Sequence, residues 1–407
     1  MRYVIIGNST AATFAVQGIR SVDKTGEIVI LSEEERPAYG RPLISYYLCG
    51  RIALKDMDYR PASFYEKNGV VVRYGVRAQA INAQEKTVSL DDGTQEKYDK
   101  LLVATGSRPL VPPAEGLDSV EYHTFMTMKS TLALEKQLSP EKKVLVVGAG
   151  LIGLKCVEGI LDRVGEVTVV DLAQRILPSI LDEEGSVLVQ KRLEARGVRF
   201  ILGDCVAKYA PGKATLRSGS EVPFDVLVIA AGVRPNVSLV RDAGGEVARG
   251  IVVDDAQRTS IPDVYAAGDN CESYDVTANA RRILALLPNA AFQGEIAGKN
   301  MAGGTAEGHG YAPFNALGLF DTHIATAGVM DGEAYVDYSD GYKKLFVKDN
   351  RLVGFILIDC IARAGIYTSL VRNCTPLDEV DFELLKKNPA LMAFAREKRA
   401  DLLTRRR

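Results

Sequence analysis

The chain has 407 residues, 47% of them hydrophobic and 25% charged, which is the composition of a globular protein with two or three domains and a large core. A formal net charge of -2 gives no overall attraction for nucleic acid or for an anionic membrane surface. No apolar run approaches the roughly 18 residues that span a bilayer, and the segment Tyr3 to Ile6 is too short for a signal-peptide core, so the expected location is the cytoplasm.

Residues 2–35 read as strand, turn, helix and strand, in the segments RYVIIG, STAATFAVQGIRSVD and EIVILS. The turn GNSTAA keeps Gly7 where the chain bends most sharply. Ser9 takes the place of the second glycine of G-x-G-x-x-G; it is small and its hydroxyl can donate to a phosphate oxygen. Ala12 stands third, where alanine adds a single methyl at the contact between helix and strand. An acid for a ribose should follow the second strand, and Glu33 is the best placed of three glutamates whose other reading is a solvated loop. In PAYGRPLISYYLCG (37–50), Arg41 is fixed between Gly40 and Pro42, and Cys49 reads as a core helix residue.

The stretch RPLVPPAEGLD suits a linker and puts a boundary near residue 112. A second strand–helix–strand unit follows at 142–171, with KKVLVV, GAGLIGLKCVEGILDRV and EVTVVD. Its glycine set is complete. Gly148 permits the tight turn, Gly150 lets backbone approach a pyrophosphate, and Gly153, after Ile152, lets helix and strand pack closely. Phosphates then face free N–H groups at the helix start. Asp171 closes the next strand, where a carboxylate accepts from both ribose hydroxyls and repels a 2′-phosphate, so NAD(H) is expected over NADP(H); the other reading is that it merely ends a strand.

Runs at 224–236 and 250–269 are strand-like and close on small residues, Ala231-Gly232 in the first and Gly268-Asp269 in the second. From 312 the pattern shortens, and 342–358 reads as a hairpin turning at Asp349-Asn350. The end reads as helix plus a basic tip. Six cysteines form no C-x-x-C or C-x4-C pair, and His123, His309 and His323 are isolated, so no metal site is expected and the histidines read as loop or surface residues.

YDKLLVATGSRP, SIPDVYAAGD and LLPNAAFQGEIAGKNMAG, in this order around the second unit, resemble the FAD- and NAD-dependent pyridine nucleotide oxidoreductase family with the glutathione-reductase type of fold, over about residues 1–360. The resemblance implies an α/β chain with FAD and NAD as cofactors. An FAD domain of residues 1–112 and 243–311 would be interrupted by an NAD domain, 113–242, and followed by a small α+β domain, 312–407. It further implies that Ala104, Thr105 and Gly106 bring the chain past the FAD, and that Asp269 meets the ribityl and pyrophosphate region. The helix beginning at Pro288-Asn289 would point its N-terminus at the flavin N1/O2 edge, where its dipole favours the reduced anion. Arg41 then either touches the FAD or pairs with Glu34.

Arg41-Pro42 stands where disulfide reductases of this superfamily carry C-x4-C, and where coenzyme A disulfide reductases and NADH peroxidases carry one cysteine. With no thiol relay implied, YGRPLIS resembles the ferredoxin-, rubredoxin- and nitrite-reductase-like branch, in which NADH gives hydride to FAD and single electrons pass to an iron–sulfur protein. That branch often has Lys at the position of Tyr46 and Glu at that of Lys155; here Lys155 is expected to bring positive charge to the flavin N5 edge, against the reading of a solvated helix residue. The implied partner is an iron–sulfur protein or the subunit of a larger metalloenzyme complex, such as an anaerobic aldehyde oxidoreductase or carbon monoxide dehydrogenase system, with 312–407 as the interface of a homodimer or hetero-complex. The tail residues Arg396, Lys398, Arg399, Arg405, Arg406 and Arg407 would either steer an acidic ferredoxin or form a solvated end. Two other functions remain open: an NADH oxidase reducing oxygen, and a flavin-dependent sensor or assembly factor that does not turn over.

Overall fold

A computed structural model of the chain describes residues 1–308 and 310–395. His309 and the basic tail 396–407 lie outside the described residues. The chain divides into two compact units. The first takes Met1–Pro109, Val233–Asp275 and Ala280–Tyr311; the second takes Leu110–Gly232, Val276–Asn279 and the chain from Ala312 on.

In the first unit five parallel strands lie in the order Val264–Ala266, Lys100–Val103, Arg2–Ile6, Glu27–Ser32, Val70–Tyr74. The continuous apolar run YVII follows from burial on both faces. Tyr3 and Ile5 pack with Val16 and Ile19 on one side of the sheet, while Val4 and Ile6 pack with Val240 and Ile251 on the other. Full burial of a side chain such as Ile5 contributes about 1.5–3 kcal/mol. The helix Thr10–Val22 ends at Asp23. The Asp23 carboxylate accepts from the backbone N–H groups of Thr25 and Gly26 and from the Tyr3 hydroxyl, which holds it well below the usual carboxylate range.

Glycines set the approach of a second helix, Leu287–Met301, to this first one. A Cβ on Gly294 would fall 2.1 Å from the Ala11 carbonyl oxygen, and one on Gly298 would fall 2.1 Å from that of Ala15. Only glycine allows the two backbones this close.

The second unit repeats the plan, with parallel strands in the order Val198–Leu202, Glu166–Asp171, Lys143–Val147, Val226–Ile229, His123–Thr124. His123 is buried in this sheet rather than in a loop or on the surface, and burial pushes its pKa down. The same unit holds an antiparallel sheet ordered Phe314–Leu319, Thr322–Gly328, Arg351–Ile358, Tyr342–Lys348, Glu333–Asp337. The helix Ala364–Arg372 covers it through Tyr367, Leu370 and Val371. The hairpin at 342–358 turns at Asp349-Asn350, both with positive φ, which suits this residue pair.

This sheet belongs to the same compact unit as the 110–232 segment, and charged groups join them. Asp182 caps the helix Glu183–Glu194 and also accepts from the Tyr342 hydroxyl at 2.8 Å and from Lys344 at 2.6 Å. Arg192 of that helix pairs with Asp359 at 2.6 Å. The boundaries of the first unit fall at 109/110 and 232/233, where Val233–Pro235 pairs antiparallel with Ser107–Pro109 and Val240 sits in the core of the first unit. Of the run 250–269, only Val264–Ala266 forms a strand. Cys49 is half-buried at the end of the short helix Ile44–Leu48, not in the core.

Candidate dinucleotide sites

In the first unit the strand order reverses on either side of Arg2–Ile6, and Gly7 lies at that strand's carboxyl end, the place where open parallel sheets bind ligands. Gly7 has φ +107, and a Cβ there would meet the Ala104 carbonyl oxygen at 2.3 Å. Ser9 begins the helix with extended backbone and no side-chain cap bond, which leaves the first-turn N–H groups and its own hydroxyl for an anion. Ala12 is fully buried. Glu33 is exposed at the end of the second strand.

Asp269 follows Gly268, whose φ is +94. Burial raises the Asp269 pKa; the Arg41 charge and a hydrogen bond with Ser107 oppose that shift. Arg41 also pairs with Glu34 at 2.5 Å, so the surface pairing is present while its charge still reaches Asp269. Pro288 sits in the first turn of Leu287–Met301, a helix start with no side-chain cap, and Asn289 is buried beside it with an amide nitrogen lacking a partner. Tyr46 is half-buried, with the Arg51 guanidinium 5.7 Å from its ring centre.

In the second unit Gly148 has φ +121 and a Cβ would lie 2.2 Å from the Ala230 carbonyl oxygen; at Gly153 it would lie 1.9 Å from that of Gly148. A Cβ on Gly150 would meet no protein atom within 4 Å. Two glycines are therefore demanded by the fold and the third is not, which fits close approach of a bound phosphate. Ile152 lies in the first turn of the helix Leu151–Ile160, and Gly232, with φ +113, follows Ala231 at the end of the neighbouring strand. Asp171 accepts from the Ala149 N–H at 2.6 Å and from the Ala173 N–H at 2.7 Å, so it fixes the glycine turn, and the remaining lone pairs of its two oxygens are what a ribose would use.

Lys155 does not bring an isolated charge. It forms an ion pair with Glu158 one turn along the same helix and donates to the Gly318 carbonyl at 3.1 Å. Glu158, its side chain 1% exposed, also accepts from the Phe320 N–H at 2.8 Å.

Two residues escape the sequence reading. Asn236 donates its amide to the Thr105 carbonyl at 2.9 Å and its N–H to the Gly106 carbonyl at 2.9 Å. Asn270 donates to the Val103 carbonyl at 2.9 Å and the Thr105 hydroxyl at 3.3 Å. Together they hold Ala104-Thr105-Gly106 in place. Both asparagines lie outside the internal repeat in which ATGSRP (104–109) and AAGVRP (230–235) align, each ending in one strand of the paired ribbon.

All six cysteines are free, and burial pushes the Cys271 thiol up to about 12. Among the described residues no helix is long and apolar enough to cross a membrane.

Two parallel sheets, each with a glycine turn at its switch point and an uncapped helix behind it, define a protein that binds two dinucleotides. Residues 1–294 match the pyridine nucleotide-disulphide oxidoreductase family, and the chain belongs to that family. It is an oxidoreductase with FAD and NAD(H) as cofactors. It is 29% identical to the epsilon subunit of NADH-dependent phenylglyoxylate dehydrogenase of Aromatoleum evansii, over 92% of both chains. It is 32% identical to the large subunit of nitrite reductase (NADH) of Escherichia coli, covering 93% of this chain but 46% of that one, so it spans about half the length of that relative. The fold matches the crystal structure of the covalent putidaredoxin reductase–putidaredoxin complex with a TM-score of 0.88, over 100% of this chain and 99% of that one, at 21% identity.

Proposed function

We propose that the chain is the NAD(H)-binding flavoprotein that moves a hydride between NAD(H) and FAD and single electrons between FAD and an iron–sulfur protein or a subunit of a larger complex. The observation that carries this reading is the pair of glycine-turn cradles in a chain with Arg41-Pro42, not cysteine, after the first dinucleotide unit. FAD supplies the chemistry here, since a flavin accepts two electrons as hydride and releases them one at a time.

The protein's own residues bind and orient. Ser9 and the uncapped start of Thr10–Val22 would receive the FAD pyrophosphate, with Gly7 and Ala104-Thr105-Gly106 shaping the turn and Gly268-Asp269 closing it. Glu33 would take the FAD ribose, and the start of Leu287–Met301, at Pro288-Asn289, the flavin N1/O2 edge. Gly148, Gly150, Ile152, Gly153 and Ala231-Gly232 would hold NAD(H), with Asp171 on the adenosine ribose. Lys155 is proposed as a catalytic donor on the NAD(H) side, oriented by Glu158 rather than acting as a net charge, and Tyr46 as a catalytic residue on the flavin side.

The phenylglyoxylate dehydrogenase relative, matched along nearly its whole length, supports a subunit role. Charge complementarity between the basic residues Arg396, Lys398, Arg399, Arg405, Arg406 and Arg407 and an acidic iron–sulfur partner is the proposed docking principle. Anaerobic mixing with NADH is expected to bleach the flavin absorbance, and an added ferredoxin or rubredoxin to restore it within the turnover time. Re-oxidation by oxygen alone, at the full turnover rate and with neither protein accelerating it, would replace this reading with an oxidase; binding of NADH without bleaching would replace it with a sensor.

A further inference from the structure

Gln293 lies in the interior of the first unit, 1% exposed, four residues beyond Asn289 on the helix Leu287–Met301. A glutamine in so apolar a position must satisfy its amide at both ends. Its Oε1 accepts from the Gly268 N–H at 2.7 Å and lies 3.5 Å from the Cys271 sulfur, while its Nε2 donates to the Ser273 hydroxyl. The Gly268 N–H is the notable partner. It belongs to the residue whose φ of +94 aims the chain into Asp269, so the side chain of one helix sets the turn that presents the carboxylate.

The same helix is fixed on its other side. Gly294 and Gly298 press against the backbone of Ala11 and Ala15 in the helix that begins beyond Gly7 and Ser9. Leu287–Met301 is thus located twice over, by backbone contact with the first glycine-turn helix and by Gln293 with the Gly268-Asp269 turn. Three elements that face the flavin nucleotide are held in register by adjacent residues of one helix.

We infer that Gln293 is the positioning residue of the flavin site: by holding the Gly268 N–H it fixes Asp269 relative to the start of Leu287–Met301, and so sets both FAD affinity and flavin potential. This rests on the FAD reading of the first unit. The Gln293→Met variant keeps the side-chain volume and removes the amide. It is expected to fold as apo-protein, to bind FAD about tenfold more weakly, as befits a buried N–H left without its acceptor, and to show a flavin midpoint potential more negative than wild type. Ser273→Ala leaves the Gly268 bond in place and is expected to hold FAD within about twofold of wild type.

A Gln293→Met protein with wild-type FAD dissociation constant and potential would overturn the inference, as would a Ser273→Ala protein that weakens FAD binding tenfold, since the effect would then lie in general packing. If Gln293→Met yields no folded apo-protein, Gln293→Glu, which keeps the acceptor for Gly268, decides: FAD binding within a few-fold of wild type supports the assignment and a loss beyond that overturns it. Failure of the wild-type protein itself to bind FAD would instead end the flavoprotein reading.

Discussion

At the scale of single residues, the glycines separate what the fold demands from what a ligand demands. A Cβ at Gly148 would collide with backbone and would sit at φ +121, whereas one at Gly150 would enter open space. Gly148→Ala is therefore expected to lower stability by about 1–3 kcal/mol, read by chemical denaturation. Gly150→Ala is expected to unfold with the wild-type midpoint while its KM for NADH rises about tenfold; an unaltered KM would remove the phosphate from that turn. Asp171→Ala is expected to lower kcat/KM for NADH at least tenfold and to narrow the preference over NADPH, checked by steady-state kinetics with both nucleotides. Because Asp171 also holds the Ala149 and Ala173 N–H groups, some of that loss will come from a loosened turn, and Asp171→Asn, which keeps one acceptor oxygen, should retain more activity than the alanine variant.

Elements add constraints that no single residue shows. The outer strand Glu333–Asp337 ends on a carboxylate that the Ser339 N–H and hydroxyl and the Lys343 ammonium stabilise, lowering the Asp337 pKa to about 2. A depressed folded-state pKa contributes stability above the ordinary carboxylate pKa of about 4, and that stability is lost as the pH falls from there towards 2. Asp337→Asn should flatten the pH dependence of the midpoint across that window and leave it unchanged near neutrality apart from a constant offset. The helix Leu151–Ile160 is tied to the strand Phe314–Leu319 and the turn after it through Lys155 and Glu158. Removing only the lysine strands a buried carboxylate, so Lys155→Met is expected to cost on the order of 3 kcal/mol and the double variant Lys155→Met/Glu158→Gln much less. If the double variant regains stability but reduces flavin slowly with NADH in stopped flow, the ammonium acts in hydride transfer; a wild-type rate would confine it to structure.

At the scale of the whole molecule, both strand–helix–strand units were legible because apolar strands buried on two faces leave uninterrupted runs such as YVII and VLVV, and glycine turns mark their ends. The Asp349-Asn350 hairpin was legible for the same local reason. What the sequence hid depends on contacts far apart in the chain. Nothing near Lys155 and Glu158 announces that Gly318 and Phe320 will be their partners, nothing near Thr105 announces Asn236, and Asp182 gives no sign that it will receive Tyr342 and Lys344. His123 was misread because a two-residue strand leaves no periodicity to recognise.

The pairing of Ser107–Pro109 with Val233–Pro235 means that the chain leaves the first unit and returns to it at neighbouring points. Excising everything between them would then demand only a tight reverse turn, such as Asn-Gly, to splice Pro109 to Val233. A shortened polypeptide of 1–109 and 233–311 closed in this way should take up FAD, seen as flavin absorbance after gel filtration, and show no affinity for NADH. Such a product would turn an interrupted gene segment into a portable flavin carrier.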